Sequence, residues 1–179
     1  IPHEARLERY GLDFGYTNDP TVIVAVYYYN GGWILEEKVY KKGMSNKEIA
    51  DTFKSMPEKL IIADSAEPKS IDEIRGCGLN IMPCEKGKDS VRQGIQAVQD
   101  QQINVTKRSV NIIKEYRNYM WMTDKLGNFI TPNEPEHTWS HSMDAIRYAM
   151  SSLLPVIQRK EFIANLPRLA VNKKPNPAR

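Results

Sequence analysis

The sequence predicts an α/β domain of three layers, with a mixed central sheet whose first three strands are antiparallel and helices on its flanks. Three observations predict it. The first 41 residues hold three strand-like segments joined by short turns. From residue 59 onward, short apolar segments alternate with amphipathic stretches of helical spacing, the pattern of strand–helix units. The chain has 179 residues at 41% hydrophobic content, enough for one domain with one sizeable core.

The elements follow in order. Residues 7–14 form a first strand, and 21–29 (TVIVAVYYY), β-branched and aromatic throughout, form a second. The tyrosines at its end alternate faces and read as packing. Asn30-Gly31-Gly32 is a hairpin signal leading into a third strand over 33–41. Ser45-Asn46-Lys47-Glu48 has capping-box form and opens a helix to about Met56. The apolar strand 59–63 delivers Asp64 at its C-terminal end. A helix over 68–75 is stopped by Gly76 and Gly78. Then come a strand over 79–84, a helix over 90–101, a strand over 103–106, and a helix capped by Ser109 that reaches about Met120. Residues 121–131 read as a hairpin, and 140–154 as an amphipathic helix. The domain is thus expected over 1–154. Residues 155–179 read as a basic, Pro-containing, flexible tail, with six Lys or Arg against one Glu from Arg159 onward.

Composition excludes several classes. The formal net charge is only +3, which does not by itself imply a nucleic-acid partner. Two cysteines, Cys77 and Cys84, read as reduced thiols rather than a disulfide scaffold. There is no run of 18 apolar residues, so no membrane span is expected. No GxxxxGK[ST] phosphate loop occurs, so the chain carries no P-loop ATPase of its own. It opens at Ile1 without Met or a signal-like segment and reads as a piece of a longer protein.

The chemistry lies in three acids. Asp13, read as mid-strand within Gly11-Leu12-Asp13-Phe14-Gly15, places a carboxylate in a sheet core, which is costly without a compensating cation. Asp64 ends the next core strand, where functional groups collect in such sheets. Asp144 lies on the last helix one turn after His141, so both side chains leave on a similar side. A helix packed on the sheet can bring Asp144 toward Asp13 and Asp64. Three hard oxygen donors suit Mg²⁺ or Mn²⁺ better than Zn²⁺, and two such ions serve phosphodiester hydrolysis. Each acid also has a structural reading. Asp13 can accept turn N–H groups, Asp64 can cap the loop before Pro68, and Asp144 can pair with Arg147 at i+3. Spacing does not decide between them.

The motifs resemble a known family. Gly11-Leu12-Asp13-Phe14-Gly15 with Asp19-Pro20-Thr21, then Ala63-Asp64-Ser65-Ala66-Glu67-Pro68, Lys86-Gly87-Lys88-Asp89-Ser90, the segment 121–130 and 141–149 are similar, in that order, to the nuclease domain of the large terminase subunit of tailed bacteriophages. The resemblance covers about 7–154. It implies an RNase H-like fold and a metal-dependent endonuclease that cuts concatemeric double-stranded DNA during genome packaging in the host cytoplasm. It also implies Asp13, Asp64 and Asp144 as the ligands of Mg²⁺ or Mn²⁺, with two ions expected, and His141 as a ligand, phosphate contact or proton-transfer group. The implied partners are DNA, an N-terminal ATPase domain, a small terminase subunit and a portal protein.

Weaker candidates surround this set. Lys86 and Lys88 flank a strand-to-helix turn, and Lys107 and Arg108 precede another helix; all four are candidate DNA-backbone contacts. Asp19 and Glu67 are candidates to bond the ligands or their waters. His137 and Trp139 read as loop packing. A junction resolvase or integrase uses similar carboxylates, and a GxDxG-type turn also occurs in actin-like and sugar-kinase ATP-binding halves.

Overall fold

The structure, a computed structural model, describes residues 1–87, 89–128, 130 and 135–154. Lys88, Phe129, residues 131–134 and the tail expected from 155 onward lie outside the described residues.

The sheet has six strands in the order β5-β4-β1-β2-β3-β6. They are β1 (Arg6–Asp13), β2 (Thr21–Tyr29), β3 (Gly32–Lys41), β4 (Ile61–Ala63), β5 (Ile81–Pro83) and β6 (Ile103–Val105). β2 is antiparallel to both neighbours, whereas β4 runs parallel to β1, β5 to β4 and β6 to β3. The β2–β3 turn is formed by Asn30 and Gly31, both at positive φ, as a two-residue hairpin loop of the favoured mirror-image type requires.

The helices are α1 (Asn46–Lys54), α2 (Pro68–Gly76), α3 (Ser90–Gln99), α4 (Val110–Asn118) and α5 (His141–Ser151), with a one-turn 3-10 segment at His137–Trp139. Residue parity along β2 sorts the layers. Ile23 and Ala25 pack with Ile49, Phe53, Ile71 and Ile74 of α1 and α2. Val22, Val24 and Val26 pack with Ile112 of α4 and Ala145, Ile146, Ala149 and Met150 of α5. Both faces of β2 are therefore covered, which is why its sequence is apolar without alternation. The Ser45–Glu48 capping box forms as expected.

Two helix starts are capped by carboxylates from elsewhere. The Ser109 side chain does not cap α4; its hydroxyl accepts the Glu37 N–H at 2.9 Å. The Glu37 carboxylate instead accepts the N–H groups of Asn111 and Ile112, each at 3.0 Å. From α4, buried Glu115 accepts the Ser142 N–H of α5 at 2.5 Å and the Tyr40 hydroxyl at 2.8 Å. Around 121–130, Asp124 and Met122 pair through the backbone with Asn128 and Ile130, consistent with the expected hairpin where it is described.

Candidate metal centre

The site begins at Gly11. Alternation along β1 turns Tyr10 and Leu12 toward α1 and α2, and Gly11 and Asp13 toward α5. A Cβ on Gly11 would lie 1.9 Å from the Ala145 carbonyl oxygen, so α5 rests directly on the β1 backbone. From Gly11 to Asp13 the strand rises about 6.6 Å, and from Ala145 back to His141 the helix covers about 6 Å. Contact at Gly11 thus sets His141 beside Asp13, and His141 Nδ1 meets Asp13 Oδ2 at 3.2 Å. Asp13 is the last residue of β1 rather than mid-strand, and it is buried.

Asp64 follows β4, the strand beside β1, and its Oδ1 pairs with Lys86 Nζ at 2.6 Å. Asp144 pairs with buried Arg147 at 2.6 Å, the i+3 contact its spacing allows. The Arg147 stem lies over Gly94 of α3, where a Cβ would come within 2.8 Å, and its guanidinium sits 4.8 Å from the centre of the Tyr148 ring. Asp13, Asp64 and Asp144 share one electrostatic neighbourhood. Burial pushes the Asp13 carboxyl up to about 7, the His141 hydrogen bond opposes this, and the charges of Asp144 and Asp64 add to the rise. Burial first, then Asp144, Asp13 and Asp64, also raise the Tyr148 hydroxyl. Burial disfavours a charged His141 ring, but the hydrogen bond and charge of Asp13, with Glu115 and Asp19, raise its pKa on balance.

The other candidates divide. Lys86 belongs to this end of the sheet. Lys107 and Arg108 lie to the side of it: they follow β6, three strands from β1, and Arg108, itself largely exposed, pairs with buried Glu36. Trp139 packs, with the Lys114 ammonium 5.1 Å from its ring. Asp19 and His137 are drawn in more closely than expected. Gly15 lets the 14–20 turn fold tightly, since a Cβ there would meet the Pro20 and Asp19 carbonyl oxygens at 2.4 and 2.5 Å. Asp19 Oδ1 then stands 3.4 Å from His141 Nε2. Among the described residues, Asp19, His137 and His141 are the three-donor group whose ligand atoms all lie within 4.8 Å of one another. Sequence reasoning missed His137, although its placement four residues before His141 offered a signal.

A mixed sheet with carboxylates at the C-terminal ends of neighbouring parallel strands, facing an acid on a helix packed across them, defines an RNase H-like domain. The chain belongs to the terminase RNase H-like domain family, whose model matches residues 13–152. It is 37% identical over 150 residues to the large terminase subunit of Bacillus phage SPP1, and 30% identical over 153 residues to the PBSX phage large terminase subunit of Bacillus subtilis strain 168. Each match covers 79% of this chain but only 35% and 34% of the relative, so the chain spans about a third of their length. The crystal structure of the SPP1 large terminase nuclease domain with bound Mn superposes with a TM-score of 0.67 at 32% identity, covering 82% of this chain and 86% of that one. A large terminase from a thermophilic bacteriophage shares the fold, with a TM-score of 0.67 at 23% identity, covering 83% of this chain and 40% of that one.

Proposed function

We propose that this chain is the nuclease domain of a large terminase subunit and a divalent-metal-dependent endonuclease that hydrolyses double-stranded DNA. The observation that carries the reading is the convergence of Asp13 and Asp64, at the ends of the neighbouring parallel strands β1 and β4, with Asp144 on the helix that packs directly on β1. The donor set fits Mn²⁺ or Mg²⁺: three hard carboxylates, of which buried Asp13 stays hard to ionise without a further cation beside it. A structural relative with bound Mn supports the same choice of metal.

In this reading Asp13, Asp64 and Asp144 hold the metal, two ions being the proposed number. Bound there, divalent ions would neutralise charge on the phosphodiester and acidify the attacking water. His141 orients the Asp13 carboxylate through Nδ1, and Arg147 fixes the Asp144 rotamer. Lys86, half exposed beside Asp64, is placed to exchange its carboxylate partner for a DNA phosphate. The substrate would be concatemeric viral DNA, with an ATPase domain, a small terminase subunit and a portal protein as partners in the host cytoplasm.

The test is Mn²⁺-dependent nicking of supercoiled plasmid by Asp13→Asn, Asp64→Asn and Asp144→Asn. Each is expected to lose at least about 100-fold in rate while keeping the native circular dichroism spectrum. Wild-type cleavage by any folded variant of the three removes that residue from the centre.

A further inference from the structure

Helix α3 carries a second face, turned away from α5. Arg92, Ile95, Gln96 and Gln99 recur at i, i+3, i+4 and i+7, and they form one wall of a cleft of about 300 Å³. The opposite wall is the segment that leaves α4 through extended Tyr119, with Met120 and Trp121. That wall is held in place: the Glu136 N–H donates to the Met120 carbonyl at 2.8 Å, and Trp121 pairs through the backbone with Pro135. None of Asp13, Asp64 and Asp144 lines the cleft.

Its polar groups are unspent. The side chains of Arg92 and Gln99 have no ion pair or hydrogen bond among the described residues. Gln96 gives one amide N–H to Asp100 at 2.8 Å and keeps its carbonyl oxygen. The Tyr119 hydroxyl is buried without a hydrogen-bond partner among the described residues, the kind of polar group that a ligand satisfies. A guanidinium suits a phosphate, carboxamides that both donate and accept suit the edge of a base, and an indole face suits its ring. A cleft of this size admits one unstacked base and excludes a duplex, whose bases lie stacked inside.

We propose that the cleft between α3 and Trp121 is a nucleotide-binding site, taking one unpaired base against Trp121 with its phosphate on Arg92. The nucleotide comes from a displaced strand of DNA or from a free nucleotide. Position favours the strand: on its other side α3 takes the Arg147 stem over Gly94, and Arg147 holds Asp144. That choice of source rests on the reading of the domain as a DNA nuclease, whereas the site itself does not.

Binding is measured in chelator, so that no metal-dependent step enters. The probes are a short labelled single-stranded oligonucleotide and its duplex, followed by fluorescence anisotropy, with deoxyadenosine monophosphate as competitor. Trp121→Ala should weaken the single strand about 10-fold and leave the duplex unchanged, with Trp121→Phe recovering most of the loss. Arg92→Ala, an exposed substitution that keeps the native circular dichroism spectrum, should weaken the single strand about 3-fold. It should also lower the salt slope by about 0.7, the share of one phosphate. Lys54→Ala on α1, in the opposite layer, controls for lost charge and should change neither. Competition by the monophosphate as strong as by the oligonucleotide assigns the site to free nucleotide, and much weaker competition assigns it to the strand. Failure of both probes to bind, native affinity for both in Trp121→Ala and Arg92→Ala, an equal loss on duplex, or a Lys54→Ala effect matching that of Arg92→Ala overturns the proposal. Wild-type protein that nicks plasmid but binds neither probe would remove the cleft and leave the nuclease, and the reverse result would do the opposite.

Discussion

Replacing Gly11 with alanine tests how the site is held together. The added methyl would lie 1.9 Å from the Ala145 carbonyl oxygen, whereas a carbon–oxygen contact needs about 3.3 Å. Helix α5 must therefore retreat by about 1.4 Å, or β1 must buckle by as much. The obstacle is backbone, so no rotamer change relieves it, and Ala145→Gly would not rescue the variant. Overpacking of this kind costs about 3 kcal/mol at the upper end of its usual range, a fall in Tm of roughly 6–12 °C for a domain of this size. The same retreat carries His141 and Asp144 away from Asp13. A misplacement of about 1 Å can cost 100-fold in rate. Thermal denaturation followed by circular dichroism, with plasmid nicking in Mn²⁺ measured well below the new Tm, separates the two effects. A Gly11→Ala protein that melts within about 1 °C of wild type and nicks at the native rate would refute a site seated on this contact.

Four other alanine substitutions bear on further contacts in the domain. Glu115→Ala strands the buried Ser142 N–H and Tyr40 hydroxyl and is expected to cost about 3 kcal/mol by urea denaturation, with Mn²⁺ affinity down about 10-fold and Glu115→Gln recovering part of both. Lys86→Ala should reduce the salt dependence of DNA binding by about one phosphate contact, whereas Arg108→Ala should leave it unchanged and instead lower stability by about 1 kcal/mol, because Glu36 loses a partner. Ser45→Ala removes the α1 capping box and should lower Tm by roughly 2–4 °C at neutral pH. The backbone and hydroxyl of Ser45 hold the Glu48 pKa below its ordinary value, so this contribution is present above the ordinary carboxylate range and fades as pH falls through the lowered one. The gap between Ser45→Ala and wild type should therefore narrow on acidification.

The legible parts of the sequence were those governed by local chemistry. The β2 run, the Asn30-Gly31 turn and the Ser45–Glu48 box each specify their own geometry within a few residues, and each appears as read. Asp13 was legible as an anomaly because a carboxylate in a strand conflicts with its apolar neighbours. What stayed hidden depends on contacts between distant segments. Ser109 looks like an N-cap, yet Glu37, 74 residues before Asn111, takes that part. Arg108 reads as a phosphate contact, and no local signal shows that it also pairs with Glu36, buried on a strand far away in sequence. His137 looked like loop packing because nothing local reveals that the Gly15 turn brings Asp19 up to His141.

The caps of α4 and α5 have a consequence for when the site can exist. Glu37 on β3 seats the start of α4, and Glu115 on α4 seats the start of α5. His141 then reaches back across 128 residues to Asp13. A chain growing from its N-terminus therefore carries Asp13 and Asp64 long before it has anything to set against them. The proposed donor set is complete only when α5 is docked on β1. A product that lacks α5 would keep Asp13 and Asp64 but neither His141 nor Asp144.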